Sequence, residues 1–132
     1  MTAKSQKTVL VVDDEPVMVR LLQVNFEAEG YRVLTARDGA EAVRQTLLEH
    51  PDLIILDILM PTMDGYEALE IIKSTPETAD IPVIVLTGKR KLEDIAEGWK
   101  YDIEFYLTKP YAIEDLLELS RRILEDREES KL

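Results

Sequence analysis

Four consecutive apolar residues, Leu53-Ile54-Ile55-Leu56, run straight into Asp57, and Pro61 and Asp64-Gly65 follow shortly after. An apolar run this short, bounded by breakers, reads as a strand buried on both faces. Such strands belong to parallel sheets with helices packed on either side, so the rest of the chain must supply those helices. A carboxylate at the carboxyl end of the strand stands where an open α/β sheet places its ligand site.

The flanking segments fit that demand. Thr8 to Val12 is a first buried strand that runs into Asp13-Asp14-Glu15, and Pro16 suits the first turn of a helix. Val17, Leu21, Val24 and Ala28 recur at helical spacing and predict the buried face of that helix, with Gly30 as its cap. Tyr31 to Ala36 is a second strand, and Arg32 within it predicts an edge. After the Asp38-Gly39 turn, Ala40, Val43 and Leu47 predict the face of a second helix, closed by His50 and Pro51. Tyr66, Leu69 and Ile72 line a third helix. Pro82 to Thr87 is a buried strand ending in a hydroxyl, and Leu92, Ile95, Ala96 and Trp99 mark a fourth helix. Glu104 to Thr108 is a fifth strand, followed by Lys109-Pro110. Ile113, Leu116, Leu117, Ile123 and Leu124 stripe a fifth helix.

Strand and helix thus alternate five times, which predicts an α/β fold with a parallel sheet and helices on both faces. The 132 residues suit one domain. The expected division is a disordered start over 1–7, a domain over 8–125 and a charged, fraying tail over 126–132.

Charge and composition narrow the function classes. The formal net charge of −11 disfavours direct nucleic-acid binding, because phosphate backbones demand a basic surface. There is no cysteine, which excludes thiol catalysis, and the single histidine, His50, excludes a multi-histidine zinc site. No apolar run approaches the roughly 20 residues that span a bilayer, and the polar start has no apolar signal core. A cytoplasmic protein without membrane contact is expected.

The strand ends carry the chemistry. The first delivers Asp13 and Asp14, the third Asp57, the fourth Thr87 and the fifth Lys109. In a parallel sheet these ends share one edge, so the five residues converge. Any one of them alone reads as easily as a helix cap or a loop charge; four strands ending this way do not. Three neighbouring carboxylates repel each other, and a hard divalent cation removes that cost; magnesium prefers few protein ligands, water and a phosphate. A metal, a lysine, a hydroxyl and a carboxylate together make a phosphoryl-transfer site.

These motifs resemble the receiver domain of two-component response regulators of the chemotaxis-regulator type. The resemblance rests on Val11-Val12-Asp13-Asp14, Leu56-Asp57 with Met60-Pro61 and Asp64-Gly65, Leu86-Thr87, and Tyr106-Leu107-Thr108-Lys109-Pro110, and covers about residues 8 to 125. It implies a flavodoxin-like, doubly wound (βα)5 fold with a five-stranded parallel sheet in the order 2-1-3-4-5. It implies that Asp57 accepts a phosphoryl group from a histidine kinase or phosphotransfer protein. Asp14, Asp57 and the backbone carbonyl of Leu59 would hold Mg2+, with Asp13 acting largely through water and Lys109 contacting the phosphoryl oxygens. Thr87 and Tyr106 would form a switch that remodels the face of the fourth helix, fifth strand and fifth helix for an output protein or a homodimer. The chain would be a regulatory phosphoacceptor rather than an enzyme, beyond self-phosphorylation from small donors and autodephosphorylation. Leu59 and Lys89 would flank the path of the hydrolytic water and tune that last step.

Some residues depart from the family pattern. Tyr101-Asp102-Ile103 stands where a small, glycine-containing turn is usual, with Trp99 and Phe105 adding aromatic bulk; this bears on the output face. Winged-helix DNA-binding members usually carry arginine where this chain has Leu119, which counts against their dimer mode. Lys89-Arg90-Lys91 reads as a solvated helix start or as a patch that steers a phosphodonor. Rival classes fit less well. A haloacid-dehalogenase phosphatase needs an aspartate where Leu59 stands, and a flavodoxin needs a phosphate loop where Asp13-Asp14-Glu15 stands. A pseudo-receiver that binds partners without phosphorylation is the remaining alternative, against which the intact acidic set argues.

Overall fold

The structure is a computed structural model that describes residues 6–57, 65–87, 105–108 and 110–130. Five strands form one sheet: β1 (Thr8–Val12), β2 (Arg32–Ala36), β3 (Leu53–Asp57), β4 (Val83–Thr87) and β5 (Phe105–Thr108). All pairings are parallel and the order is β2-β1-β3-β4-β5. This is the predicted order, with β2 at the edge that Arg32 indicated. Every residue of β1 and of β3 is buried, which explains why both read as unbroken apolar runs rather than as alternating ones.

Helices cover both faces. α2 (Gly39–Glu49) and α3 (Gly65–Ser74) lie on one side, where Ala42, Leu69 and Ile72 pack with Leu10, Ile54, Leu56 and Val85. α1 (Pro16–Ala28) and the C-terminal helix (Ile113–Ser130) lie on the other, where Leu22, Phe26, Leu116 and Leu124 pack with Val9, Val11, Ile55 and Ile84. The predicted fourth helix, through Leu92 and Trp99, falls outside the described residues.

Local chemistry sets the helix ends. Pro16 opens α1, where its missing N–H costs no hydrogen bond. Gly30 follows α1 at a φ of 97°, a conformation cheap only for glycine. The Asp38 carboxylate accepts from the Glu41 N–H at 2.8 Å and caps α2. His50 ends α2 in the left-handed region with its N–H bonded to the Thr46 carbonyl.

Two predicted helix faces are corrected. In α1 the buried residues are Leu22 and Phe26, with Met18 partly buried beside them; Val17, Leu21 and Val24 are exposed, Val17 at 81%. This helix carries two neighbouring apolar stripes, and the one with the larger side chains took the core. Burying a Phe or Leu side chain is worth roughly 1.5–3 kcal/mol, so the bulkier stripe wins. In α2 the buried residues are Gly39, Ala42 and Thr46, whereas Ala40 and Leu47 are exposed. Small residues there let the helix approach the sheet and α3 closely. The third and last helices bury the faces expected of them.

The C-terminal helix runs on to Ser130. Lys7 pairs with Glu128 at 2.7 Å, and the Arg127 guanidinium donates to the Asp80 carbonyl. Gln6 donates to the Gly30 carbonyl at 3.1 Å. Among the described residues no helix is long and apolar enough to cross a membrane.

Candidate functional site

The register of the sheet brings the site together. β1 ends at Val12 beside Ala36 and Leu56, so Asp13 emerges directly next to Asp57. The Asp13 N–H donates to the Ala36 carbonyl at 3.1 Å, which extends the pairing by one residue and fixes where its side chain leaves the sheet. Its Oδ1 accepts from the Glu15 N–H at 2.9 Å. That short loop turns the chain from strand to helix and holds the carboxylate at the sheet edge.

Asp57 is the last residue of β3 and pairs in register with Leu86, one residue before the end of β4. Asp13 and Asp57 are buried, at 1% and 4% exposure, while Asp14 faces solvent. One carboxylate oxygen from each of the three lies within 4.8 Å of the others. Three oxygens this close, two on buried residues, form a hard anionic set whose repulsion a divalent cation would neutralise. The residues therefore fit the ion that the sequence led us to expect.

Thr87 ends β4 in register with Thr108, and so reaches the same edge one strand further along. Lys109, Leu59 and Lys89 lie outside the described residues, as do Gly88, Trp99 and Tyr101-Asp102-Ile103. Tyr106 is half-buried on β5, packed on the side of the sheet that α2 and α3 cover. Its hydroxyl lies 3.4 Å from that of Tyr66 at the start of α3. Phe105 is 48% exposed on the same strand.

One residue near the site escaped the sequence reading. Tyr111 is half-buried between α1 and the C-terminal helix, with its hydroxyl 3.9 Å from the Met18 sulfur. Burial, followed by the charges of Asp13 and Asp57, pushes its phenol up to about 12. It is thus a neutral wall beside the acids at any physiological pH. The signal was its place two residues after Lys109, just past a strand end.

Fold and acidic edge together define a doubly wound α/β module with three carboxylates gathered at the carboxyl end of its sheet, and comparison with known proteins gives the family. Residues 9–121 match the model of the response regulator receiver domain, and the chain belongs to that family. It is 35% identical over 116 residues to the DNA-binding dual master transcriptional regulator RpaA of Synechocystis, covering 88% of this chain and 48% of that protein. The chain spans about half the length of the curated relatives it matches. Among solved structures it resembles a CheY-like receiver domain protein from Methanospirillum hungatei, with a TM-score of 0.88 and 30% identity over 96% of this chain and 99% of that one. It also resembles the receiver domain of the sensor histidine kinase PA1611 of Pseudomonas aeruginosa, with a TM-score of 0.83 and 28% identity over 92% and 99% of the two chains. That receiver carries a magnesium ion coordinated in its active site cleft. The chain is accordingly a regulatory domain of two-component signalling rather than a classical enzyme.

Proposed function

We propose that Asp57 is the phosphoacceptor of a two-component switch working in the cytoplasm, where ATP-fed kinases supply phosphoryl groups. The observation that carries this reading is the gathering of Asp13, Asp14 and Asp57 within 4.8 Å at the carboxyl edge of a fully buried strand. An Asp57 carboxylate oxygen attacks the phosphorus, and the bond from phosphorus to the donor's imidazole nitrogen or to acetate oxygen breaks as the new P–O bond forms. The leaving group takes the electron pair, and because a carboxylate nucleophile has no proton to lose, no separate general base is needed. Burial on β3 holds Asp57 still, which is most of what in-line transfer requires of the protein. Asp14, Asp57 and the Leu59 carbonyl would hold Mg2+, with Asp13 acting through water; the ion would neutralise charge on the transferring group. Lys109 follows β5 and would contact the phosphoryl oxygens.

The donor in this reading is a histidine kinase or phosphotransfer protein, with small acyl phosphates as substitutes. The domain comprises residues 8–125. Its readout is a shift in the population of Thr87 and Tyr106 arrangements, felt by an output protein or a second copy through β5 and the C-terminal helix. Leu59 and Lys89 govern loss of the phosphoryl group: leucine cannot orient a water, and lysine is no base at neutral pH given a reference pKa of about 10.4. The double change Leu59→Asn and Lys89→Glu is expected to speed decay, and unchanged decay with Mg2+ binding intact refutes the pair's role. The pseudo-receiver alternative predicts no covalent change at all. Intact mass after acetyl phosphate and Mg2+ separates the two: one added phosphoryl group in the wild type and none in Asp57→Asn supports the switch. Equal labelling of both, or of neither, defeats it.

A further inference from the structure

Tyr66 stands second in α3, and its phenol oxygen lies 3.4 Å from that of Tyr106. Both rings are half-buried and pack against the same core cluster. Leu107, the next residue of β5, packs on the opposite face of the sheet, as strand alternation requires. Tyr106 thus carries the contact between the edge strand β5 and the side of the sheet that α3 covers.

A tyrosine on an edge strand chooses among a few staggered χ1 arrangements. The hydroxyl contact with Tyr66 exists only in the one that lays the ring over this core. Whichever phenol donates, the bond stabilises that arrangement against one pointing to solvent. It also links the first turn of α3 to the β5 edge.

We propose that Tyr66 is a positioning residue for Tyr106, holding its ring over the core before any phosphoryl group is added. This rests on the reading of Tyr106 as the switch residue of a phosphorylatable Asp57. The consequence is a raised resting population of the inward ring, which leaves phosphorylation less far to move the equilibrium. At 3.4 Å the contact is longer than the usual O–H···O bond and has a small net worth, so the inward-to-outward ratio should change by no more than about two- to fivefold with it.

The test is the χ1 population of Tyr106, read from three-bond couplings to its Cγ in labelled, unphosphorylated, Mg2+-loaded protein. Tyr66→Phe keeps the ring and removes the hydroxyl; it should move the ratio about two- to fivefold toward the outward ring. Tyr66→Leu should move it at least as far. If Tyr66→Phe matches the wild type and only Tyr66→Leu differs, Tyr66 merely packs and the proposal is overturned; it is equally overturned if neither differs. Acetyl phosphate is then added to the wild type as a separate arm. If it leaves the ring unmoved while Tyr66→Phe moves it, the switch reading fails and the positioning role stands. If it moves the ring while Tyr66→Phe does not, the positioning role alone fails.

Discussion

The two ends of this sheet use aspartates in opposite ways. At the amino end, the Asp52 carboxylate accepts from the Thr8 N–H at 2.8 Å, and the Asp52 N–H donates to the Thr8 carbonyl at 2.8 Å. Lys7 meets Glu128 there, and the Lys73 ammonium donates to the carbonyls of Ala79 and Ile81 at 3.1 and 2.7 Å. Asp52, Lys7 and Lys73 each answer a backbone group or an opposite charge there. At the carboxyl end, Asp13, Asp14 and Asp57 meet one another. The amino end uses its acids to tie the structure together; the carboxyl end, where Asp13 also holds the Glu15 N–H, in addition gathers three carboxylates at one point. Residue type is the same in both places, and strand direction decides which role it takes.

The largest effect that can break this comparison is on metal binding. Asp14→Ala should abolish saturable Mg2+ binding followed by NMR, while Asp52→Ala should leave it unchanged. Stability should respond the other way. Asp52→Ala leaves the Thr8 N–H without its carboxylate partner and should cost about 1–3 kcal/mol in chemical denaturation. Asp13→Asn keeps an oxygen for the Glu15 N–H, so without Mg2+ it should cost less than Asp52→Ala. Equal losses in both variants would erase the distinction between the two ends.

A smaller effect lies in alkali. The Tyr111 phenol is raised to about 12, so between its ordinary value near 10 and that value the folded chain holds a proton that the unfolded chain has lost. Its contribution is whole below pH 10 and is lost as pH rises toward 12. A late phenolate step in the ultraviolet absorbance, missing in Tyr111→Phe, checks this. The smallest effect is at the amino end. Lys7→Ala breaks a partly exposed pair and should cost at most about 1 kcal/mol, less in high salt. Glu128 raises the Lys7 ammonium above its usual value, so this contribution persists through neutral pH and is lost only as pH rises through the raised value.

Strand positions and the acidic edge were legible because both depend on long, one-sided signals, whereas the strand order came from the resemblance to the family. Fully buried strands admit only apolar residues, and their ends are marked by the first polar residue, as at Val12-Asp13 and Leu56-Asp57. The buried faces of α1 and α2 were not legible. Apolar residues lie on two adjacent stripes of α1, and spacing alone cannot say which the sheet selects; side-chain size decided for Leu22 and Phe26. In α2 the core took Gly39, Ala42 and Thr46, which a search for large apolar residues passes over. Tyr111 escaped for another reason. Its environment comes from α1 and two strand ends distant in sequence, and its place just past β5 is the one local hint of it.

The central claim is that Asp57, and neither Asp13 nor Asp14, carries the phosphoryl group. Sodium borohydride reduces an aspartyl phosphate to homoserine, which marks the acceptor position permanently. After treatment with acetyl phosphate and Mg2+, reduction, digestion and peptide sequencing by mass spectrometry should find homoserine at residue 57 alone. Homoserine at residue 13 or 14, or none in protein that has gained a phosphoryl mass, would contradict the account.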